Sequence, residues 1–187
     1  VKHVIRRSYS MLASVRRNCS AFTNPHTLKT LYCAFVRSRL EYAAIIWRPY
    51  QIGLSNRIER VQKVFLRFAL RSLNFSEPVP SYRSRCLLID LKPLDSRRSI
   101  LSCSFIIRII SGSIDCPSLL SKIQFNIPNM RLRQYETFKI GFSRTNYGVN
   151  APIPRACADL NMFFNSSGAD FTWPYGILVN HLKSFFS

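Results

Sequence analysis

Side chains that perform acid–base or nucleophilic chemistry are few in this sequence and lie far apart. Its 187 residues include nine Asp and Glu, three His and six Cys. Phosphoryl transfer at a two-metal site would need at least two of the carboxylates to converge. Asp90 and Asp95 are the one close pair worth asking about. Asp90 adjoins a Lys-Pro loop and Asp95 fits a helix cap, so the pair does not indicate a catalytic centre.

The sequence motifs of common catalytic and metal sites are also missing. A Gly-rich phosphate loop, a G-x-S-x-G elbow and an H-x-x-x-H pair do not occur. The cysteines form no C-x-x-C pair, whereas a zinc site needs clustered thiolates or imidazoles. Cysteines dispersed through apolar segments usually pack as small buried hydrophobic residues. Free cysteines of this kind indicate a reducing compartment. We therefore expect no catalytic residue, cofactor or metal ligand in this chain, although sequence alone leaves a single cysteine nucleophile open.

Positive charge is the chemical feature that the chain does concentrate. The formal net charge is +18, and residues 1–100 hold 19 Lys and Arg against 5 Asp and Glu. Residues 101–187 hold only 8 against 4. A surface of this kind attracts polyanions. Nucleic acid is the favoured partner and an acidic membrane surface is the second choice.

The cations are most regularly spaced in residues 57–71, where a helix would place them on one face and apolar residues on another. Five apolar residues fall in one sector of the helix: Ile58, Val61, Phe65, Phe68 and Ala69. Five cations and no acid fall in a second sector: Arg57, Arg60, Lys63, Arg67 and Arg71. Glu59 lies beside this second sector, four residues before Lys63, in the favourable order for a helical ion pair. An ordinary solvated face mixes signs, so a face with one sign favours contact with phosphates.

Helical periodicity covers most of the chain and must position these cations. The longer predicted helices span residues 1–18, 25–47, 56–73, 96–111, 154–164 and 175–186. Shorter ones are predicted at 82–89 and 117–123. Asn24 and Pro25 are typical of a helix start, and Gly112 is typical of a helix end. A turn at Gly53 followed by Ser55 and Asn56 is expected to cap the basic helix.

The remaining segments predict connections and a little sheet. Pro78 and Pro80 mark residues 74–81 as a linker, and the alternation of Phe138, Ile140 and Phe142 with polar residues predicts a strand. Tyr147-Gly148 predicts a turn. No apolar run is long enough to span a bilayer. We expect a mainly α fold, with a basic helical unit over 1–75 and a mixed, mostly helical region over 82–187 that includes a short strand pair.

Four blocks of the sequence are distinctive: residues 28–32 (LKTLY), 36–43 (VRSRLEYA), 46–50 (IWRPY) and 57–67 (RIERVQKVFLR). They resemble the region that follows the catalytic palm of the reverse transcriptase in jockey-type insect non-LTR retrotransposons. Shorter matches follow in the same order at 82–90, 94–98, 131–133 and 144–148. The resemblance covers most of the chain. Its first two blocks are the specific ones.

The resemblance implies that the parent protein is an RNA-directed DNA polymerase. In that family, helices after the palm form a thumb-like unit that holds the RNA template and the DNA primer. The aromatic-x-Asp-Asp motif that binds Mg²⁺ in the palm has no counterpart in this chain. The implied partners are therefore the template, the primer and an upstream polymerase domain of the same polyprotein, with no membrane. The parent element would reside in the nucleus and cytoplasm, and a chain that begins at Val1 is expected to be an excerpt of it.

We accordingly expect a non-catalytic fragment that helps to hold template–primer through its basic helix. The five cations of residues 57–71 would contact the nucleic-acid backbone, and Lys29, Arg37 and Arg39 would add to the same surface. The alternative is a protein-interaction or scaffold module of the polyprotein that makes no direct contact with nucleic acid. In that case the apolar C-terminal half packs against the polyprotein and the charge serves solubility. An independent enzyme is the least favoured class.

Overall fold

The computed structural model describes residues 1–71, 80–126, 136–169 and 173–186. In these ranges the chain is mainly helical and contains a small two-stranded antiparallel sheet, which confirms the predicted fold class. The chain divides into two compact units, Val1–Asp95 and Ser96–Ser187, and each unit has its own hydrophobic core. Most of the predicted linker over 74–81, and Arg131 and Arg133, lie outside the described residues.

The helices of the first unit are α1 (Lys2–Asn18), α2 (Pro25–Tyr32), α3 (Ser38–Glu41), α4 (Ala44–Trp47), α5 (Ile52–Ala69) and α6 (Tyr82–Leu88). A π-helical segment, Cys33–Arg37, joins α2 to α3. The predicted start of α2 is confirmed: the Asn24 side chain accepts a hydrogen bond from the His26 amide at 2.9 Å, and Pro25 is the first helical residue. Asn can thus satisfy one of the amides that a helix start leaves without a partner.

The helix predicted over 25–47 is interrupted, so that prediction is wrong in its middle. At Ala43 the backbone takes the left-handed conformation, with φ of +50°, and separates α3 from α4. The Trp47 indole N–H donates to the Tyr42 carbonyl at 2.7 Å and holds this turn. Alanine favours helices, so the residue at the break does not predict that the helix ends there. The predicted end before Pro49 is confirmed, since α4 ends at Trp47.

The basic helix begins earlier than predicted. Helix α5 starts at Ile52 with Gln51 as its N-cap residue, so Gly53, Ser55 and Asn56 lie inside the helix and do not form a turn or cap. The backbone amides of Leu54 and Ser55 both donate to the Gln51 carbonyl. A single glycine costs a helix only about 1 kcal/mol, and here it does not prevent the first turn from forming.

Helix α5 provides much of the core of the first unit. Its side chains Ile58, Phe65 and Leu66 are fully buried. The Phe65 ring stacks on that of Tyr32 in α2, with a centroid distance of 4.1 Å. Apolar residues that follow the predicted linker join this core: Cys86, Ile89, Leu91 and Leu94. Residues 80–95 therefore pack within the first compact unit, whereas the sequence assigned 82–95 to the C-terminal region.

A chain of buried and partly buried hydrogen bonds ties α5 to α2 and α6. The Tyr32 hydroxyl donates to Gln62 Oε1 at 3.1 Å, and Gln62 Nε2 donates to the Tyr82 hydroxyl at 3.0 Å. The Tyr82 hydroxyl donates in turn to Glu59 Oε1 at 2.7 Å. Burial and the neighbouring Glu59 carboxylate raise the pKa of Tyr82 well above its usual range. Tyr82 therefore remains a donor at neutral pH.

Glu59 does not occupy the position that the sequence suggested. It is buried, and its Oε1 also accepts from the Leu94 amide at 2.9 Å. Lys63, its expected ion-pair partner, instead lies over the Tyr82 ring, with Nζ 5.1 Å from the centroid. The carboxylate is drawn inward because a hydroxyl and an amide there supply hydrogen bonds that offset its desolvation.

The second unit contains most of α7 (Leu94–Ile110), then α8 (Pro117–Leu120), β1 (Gln124–Phe125), β2 (Phe138–Lys139), α9 (Asn146–Val149), α10 (Pro152–Ser167) and α11 (Tyr175–Phe185). Strands β1 and β2 pair antiparallel, with Phe125 opposite Phe138. The Asn161 side chain of α10 accepts from the Phe138 amide at 2.8 Å and donates to its carbonyl at 2.9 Å. The predicted strand is thus present but short. The predicted turn at Tyr147 falls inside α9.

None of the helices in the described ranges combines the length and the hydropathy of a bilayer-spanning segment.

Candidate nucleic-acid interface

The two faces predicted for α5 are present in the structure. Its apolar sector is buried: Ile58, Val61, Phe65, Phe68 and Ala69. Its cations are exposed: Arg57, Arg60, Lys63, Arg67 and, two residues beyond the helix end, Arg71. We call these five residues the α5 basic strip. Their exposure leaves them available to an external anion, and their role in binding nucleic acid remains a prediction.

Arg71 differs from the other members of the strip because its guanidinium is already engaged. It donates to the carbonyl of Ser20 and, at 3.0 Å, to that of Phe22. It also lies over the Phe68 ring, 4.2 Å from the centroid. Arg71 therefore ties the end of α5 to the loop after α1. Part of its hydrogen-bonding capacity serves the fold.

Two cations from α1 adjoin Arg71. Arg16 and Arg17 line a cleft of about 500 Å³ together with Phe68 and Arg71. The Arg16 guanidinium lies 5.8 Å from the Phe68 ring centroid. The residue pattern of α1 provides no reason to join Arg16 and Arg17 to the strip, because a solvated helix face accounts for them equally well. Only the packing of α1 against α5 brings them together.

Arg85 extends the basic surface from α5 onto α6. It lines a smaller cleft of about 190 Å³ with Lys63, Arg67 and Tyr82. Its Nε donates to the Pro80 carbonyl at 2.9 Å, which fixes the side chain beside α5. This residue was also missed from the sequence. The sequence feature that comes closest to indicating Arg85 is the basic composition of α6. That composition does not reveal which helix packs beside α6.

The three cations expected to add to the strip have different surroundings. Lys29 Nζ lies 3.0 Å from Asp90 Oδ2, and this hydrogen bond lowers the pKa of the Asp90 carboxyl. Arg37 Nε lies 3.9 Å from Glu41 Oε2. Both cations are already close to a carboxylate, which weakens their attraction for phosphate. Arg39 is exposed and lines a different cleft.

The residues considered for catalysis are engaged elsewhere or buried. Asp90 pairs with Lys29, and Asp95 accepts a hydrogen bond from the Ser55 hydroxyl at 3.4 Å. Burial raises the pKa of the Cys157 thiol to about 11 and also raises that of Cys86. In the part of the chain that is described, no three His, Cys, Asp or Glu side chains are grouped so that they could hold a metal ion.

The charge of the first unit is strongly one-sided. Val1–Asp95 contains 17 Lys and Arg against 5 Asp and Glu, which gives it +12 of the total +18. Comparisons of the chain with protein-family models, curated proteins and solved structures find no match. The arrangement of exposed cations on α5 and its neighbours is therefore the main indication of function.

Proposed function

We propose that this chain is the non-catalytic part of a non-LTR retrotransposon RNA-directed DNA polymerase, and that it helps to hold template–primer through the α5 basic strip. One observation carries the proposal: α5 buries one face in a core and exposes cations, with no acid among them, on the other. The sequence blocks that resemble the post-palm region support the identity of the parent protein.

The dimensions of the strip suit a nucleic-acid backbone. Arg57 and Arg67 are ten residues apart, which corresponds to about 15 Å along a helix. One strand of a duplex presents a phosphate about every 3.4 Å along its axis, so about four phosphates lie within reach of the four cations on α5. Guanidinium and ammonium groups on phosphates hold a duplex in place without reading its sequence. The expected binding is therefore strong at low salt and indifferent to base order.

The remaining parts of the proposal come from the resemblance. The Mg²⁺ ions of the parent polymerase would be bound by the upstream palm, which is also the expected protein partner of this chain. The RNA template and DNA primer are the expected nucleic-acid partners. From the same resemblance, we expect the protein of the parent element to reside in the nucleus and cytoplasm.

The proposal is tested by reversing two charges of the strip. Binding of a labelled RNA–DNA hybrid is measured by fluorescence anisotropy over a series of salt concentrations. For Arg60→Glu with Arg67→Glu, we expect the slope of log affinity against log salt to fall in magnitude by about 2, since each phosphate contact contributes about 0.9. Affinity at low salt should fall by about tenfold or more.

A matched control makes the same change in net charge elsewhere. Arg108 and Lys122 are both exposed residues of the second unit, so Arg108→Glu with Lys122→Glu alters the charge equally without touching α5. The control should retain most of the wild-type slope. If the α5 variant kept both the affinity and the slope of the wild type, the strip would not be the binding site.

Exposed apolar side chains favour a second candidate, a protein-interaction or scaffold module. Ile46, Ile52, Leu87 and Phe142 are each more than 70% exposed. Apolar surface of this kind often marks a protein contact when it is contiguous. In this case the isolated chain should self-associate until the upstream polymerase domain is added, as judged by light scattering. Binding of the hybrid should then be unaffected by the α5 charge reversal.

A further inference from the structure

We infer that Tyr42 and the cleft beside it form a second nucleic-acid contact, in which the Tyr42 ring stacks on an unpaired base while Arg7 and Arg39 bind the flanking phosphates. The class of ligand rests on the proposed function. The residues are not those of the α5 basic strip, so the two contacts can fail separately.

Tyr42 is an aromatic side chain held in solvent on a fixed backbone. It is 81% exposed. Its amide donates to the Ser38 carbonyl at 2.9 Å, and its own carbonyl accepts from the Trp47 indole at 2.7 Å. Trp47 packs against the core of the first unit. A ring whose main chain is fixed in this way loses little freedom when a flat ligand stacks on it, which favours binding.

The turn that displays Tyr42 carries backbone strain. Ala43 has φ of +50°, a backbone conformation that is unfavourable for an L-residue other than glycine. Backbone strain persists where the surrounding structure imposes it, and such positions are concentrated in binding and catalytic sites. A continuous helix through Ala43 would have avoided the strain. It would also have aimed residue 42 differently.

The cleft beside Tyr42 is lined by cations. Its volume is about 430 Å³, and its walls are formed by His3, Val4, Arg7, Ser38, Arg39 and Tyr42. No acidic residue is among these lining residues. In the described ranges, the guanidinium groups of Arg7 and Arg39 have neither an ion-pair nor a hydrogen-bond partner. Glu41, the acid adjacent in sequence, lies near Arg37 and its side chain is only 15% exposed.

This combination of groups selects nucleic acid over a protein ligand. A base offers a flat π face to the tyrosine ring, and stacking of this kind is tolerant of sequence. Guanidinium groups match phosphate oxygens in a two-point geometry. A protein segment entering the same cleft would meet two uncompensated cations and one half-buried valine. Single-stranded RNA or DNA supplies both the base and the negative charge.

The test separates the base from the phosphates. The full chain is titrated against a labelled oligothymidylate and against an abasic strand of the same length and charge. Tyr42→Ala should weaken binding of the oligothymidylate by about 5- to 10-fold, the lower part of the range for loss of one stacked base. The salt slope should not change, because the lost contact is uncharged. Tyr42→Phe keeps the ring and should bind as the wild type does.

The cations are tested by the salt slope. Arg7→Gln and Arg39→Gln should each lower its magnitude by about 0.7, the value for one phosphate contact on a single strand. Tyr147→Ala is the matched control, since Tyr147 is 79% exposed and lies in the second unit. That variant should leave affinity for the oligothymidylate unchanged.

Several results would overturn the inference. These are equal affinity for the abasic strand, an unchanged affinity for Tyr42→Ala, or an equal loss for Tyr42→Phe. If Tyr42→Ala changed the oligomeric mass of the protein in solution without loss of oligonucleotide binding, Tyr42 would be identified as a protein contact. If Arg60→Glu with Arg67→Glu weakens hybrid binding while Tyr42→Ala has no effect, the α5 proposal stands alone. The opposite pattern would retain the Tyr42 site and reject the strip.

Discussion

Gln62 connects three parts of the first unit through one buried amide. Its Oε1 accepts from Tyr32, and its Nε2 donates to the Tyr82 hydroxyl and to the Lys92 carbonyl, each at 3.0 Å. The side chain is fully buried. Each of these partners would lose a hydrogen bond inside the core if the amide were removed. Buried groups left in that condition cost about 1–3 kcal/mol each.

We therefore predict that Gln62→Leu lowers the free energy of unfolding by about 2–4 kcal/mol, because leucine fills the space but bonds to none of the three partners. Urea unfolding followed by circular dichroism measures the change. Gln51→Leu is the control, since Gln51 is exposed and its side chain makes no cap hydrogen bond. That variant should stay within about 0.5 kcal/mol of the wild type. Equal effects of the two substitutions would show that the buried bonds add no stability.

The network also explains which polar residues sequence analysis misplaced. Glu59 and Lys63 have the spacing of a helical ion pair, and that pattern is local. The Tyr82 hydroxyl and the Leu94 amide, which bond to Glu59, are 23 and 35 residues away in sequence. No pattern within one helix contains that information. The exposed cations were easier to place, because burial of the apolar sector determines which way they point.

At the scale of helices, the chain departs from α-helical geometry at two places between α2 and α4. Residues 33–37 widen into a π-helical segment and Ala43 turns the chain out of helix. Helix propensity favours continuation at both places. The indole of Trp47, which caps the Tyr42 carbonyl, stabilises the turn instead. Starts and ends marked by Asn24, Pro25 or Gly112 could be predicted, since those residues act locally.

We predict that Ala43→Gly stabilises the protein by up to about 1 kcal/mol, because glycine adopts positive φ without the penalty that alanine pays there. The greater freedom of glycine in the unfolded chain offsets part of that gain. Thermal and urea unfolding measure the difference.

Ala34→Gly provides the comparison of opposite sign. Ala34 is an exposed residue within the π-helical segment, where the same substitution should destabilise by about 0.5–1 kcal/mol. A loss of stability in both variants would mean that the Ala43 backbone is not under strain in solution.

For the whole molecule, the concentration of cations in the first unit opposes its own folding. Like charges repel when the chain becomes compact, and salt screens the repulsion over about 10 Å at moderate ionic strength. Arg57, Arg60 and Lys63 follow one another at three-residue intervals on a single helix face, which places like charges one turn apart. A surface evolved for solubility alone would gain from alternating the signs.

We expect Arg60→Glu with Arg67→Glu to raise the free energy of unfolding by about 0.5–1 kcal/mol at low salt, since two repulsive neighbours become attractive. The gain should shrink as salt increases. Unfolding at two ionic strengths measures it, with Arg108→Glu plus Lys122→Glu as the control of equal charge. A variant that is less stable than the wild type at low salt would contradict this account.

The candidate interface was predicted only in part, for a reason that applies to the molecule as a whole. Sequence periodicity predicts a helix face, so the cations of α5 could be identified. Arg16, Arg17 and Arg85 reach the same surface by packing of α1 and α6 against α5, which depends on contacts distant in sequence. Lys29 has the right charge, but its partner Asp90 is 61 residues away.

The chain has two tryptophans, and each compact unit contains one of them. Trp173 meets the His181 ring edge-on at 5.0 Å, whereas the Trp47 indole is bonded to the Tyr42 carbonyl. With Trp173 replaced by phenylalanine, the tryptophan emission of the protein comes from Trp47 alone, at the turn that displays Tyr42. Trp47 thus serves as an intrinsic fluorescent probe of that turn. A ligand that binds there changes the emission wavelength or the fluorescence intensity of the unlabelled protein.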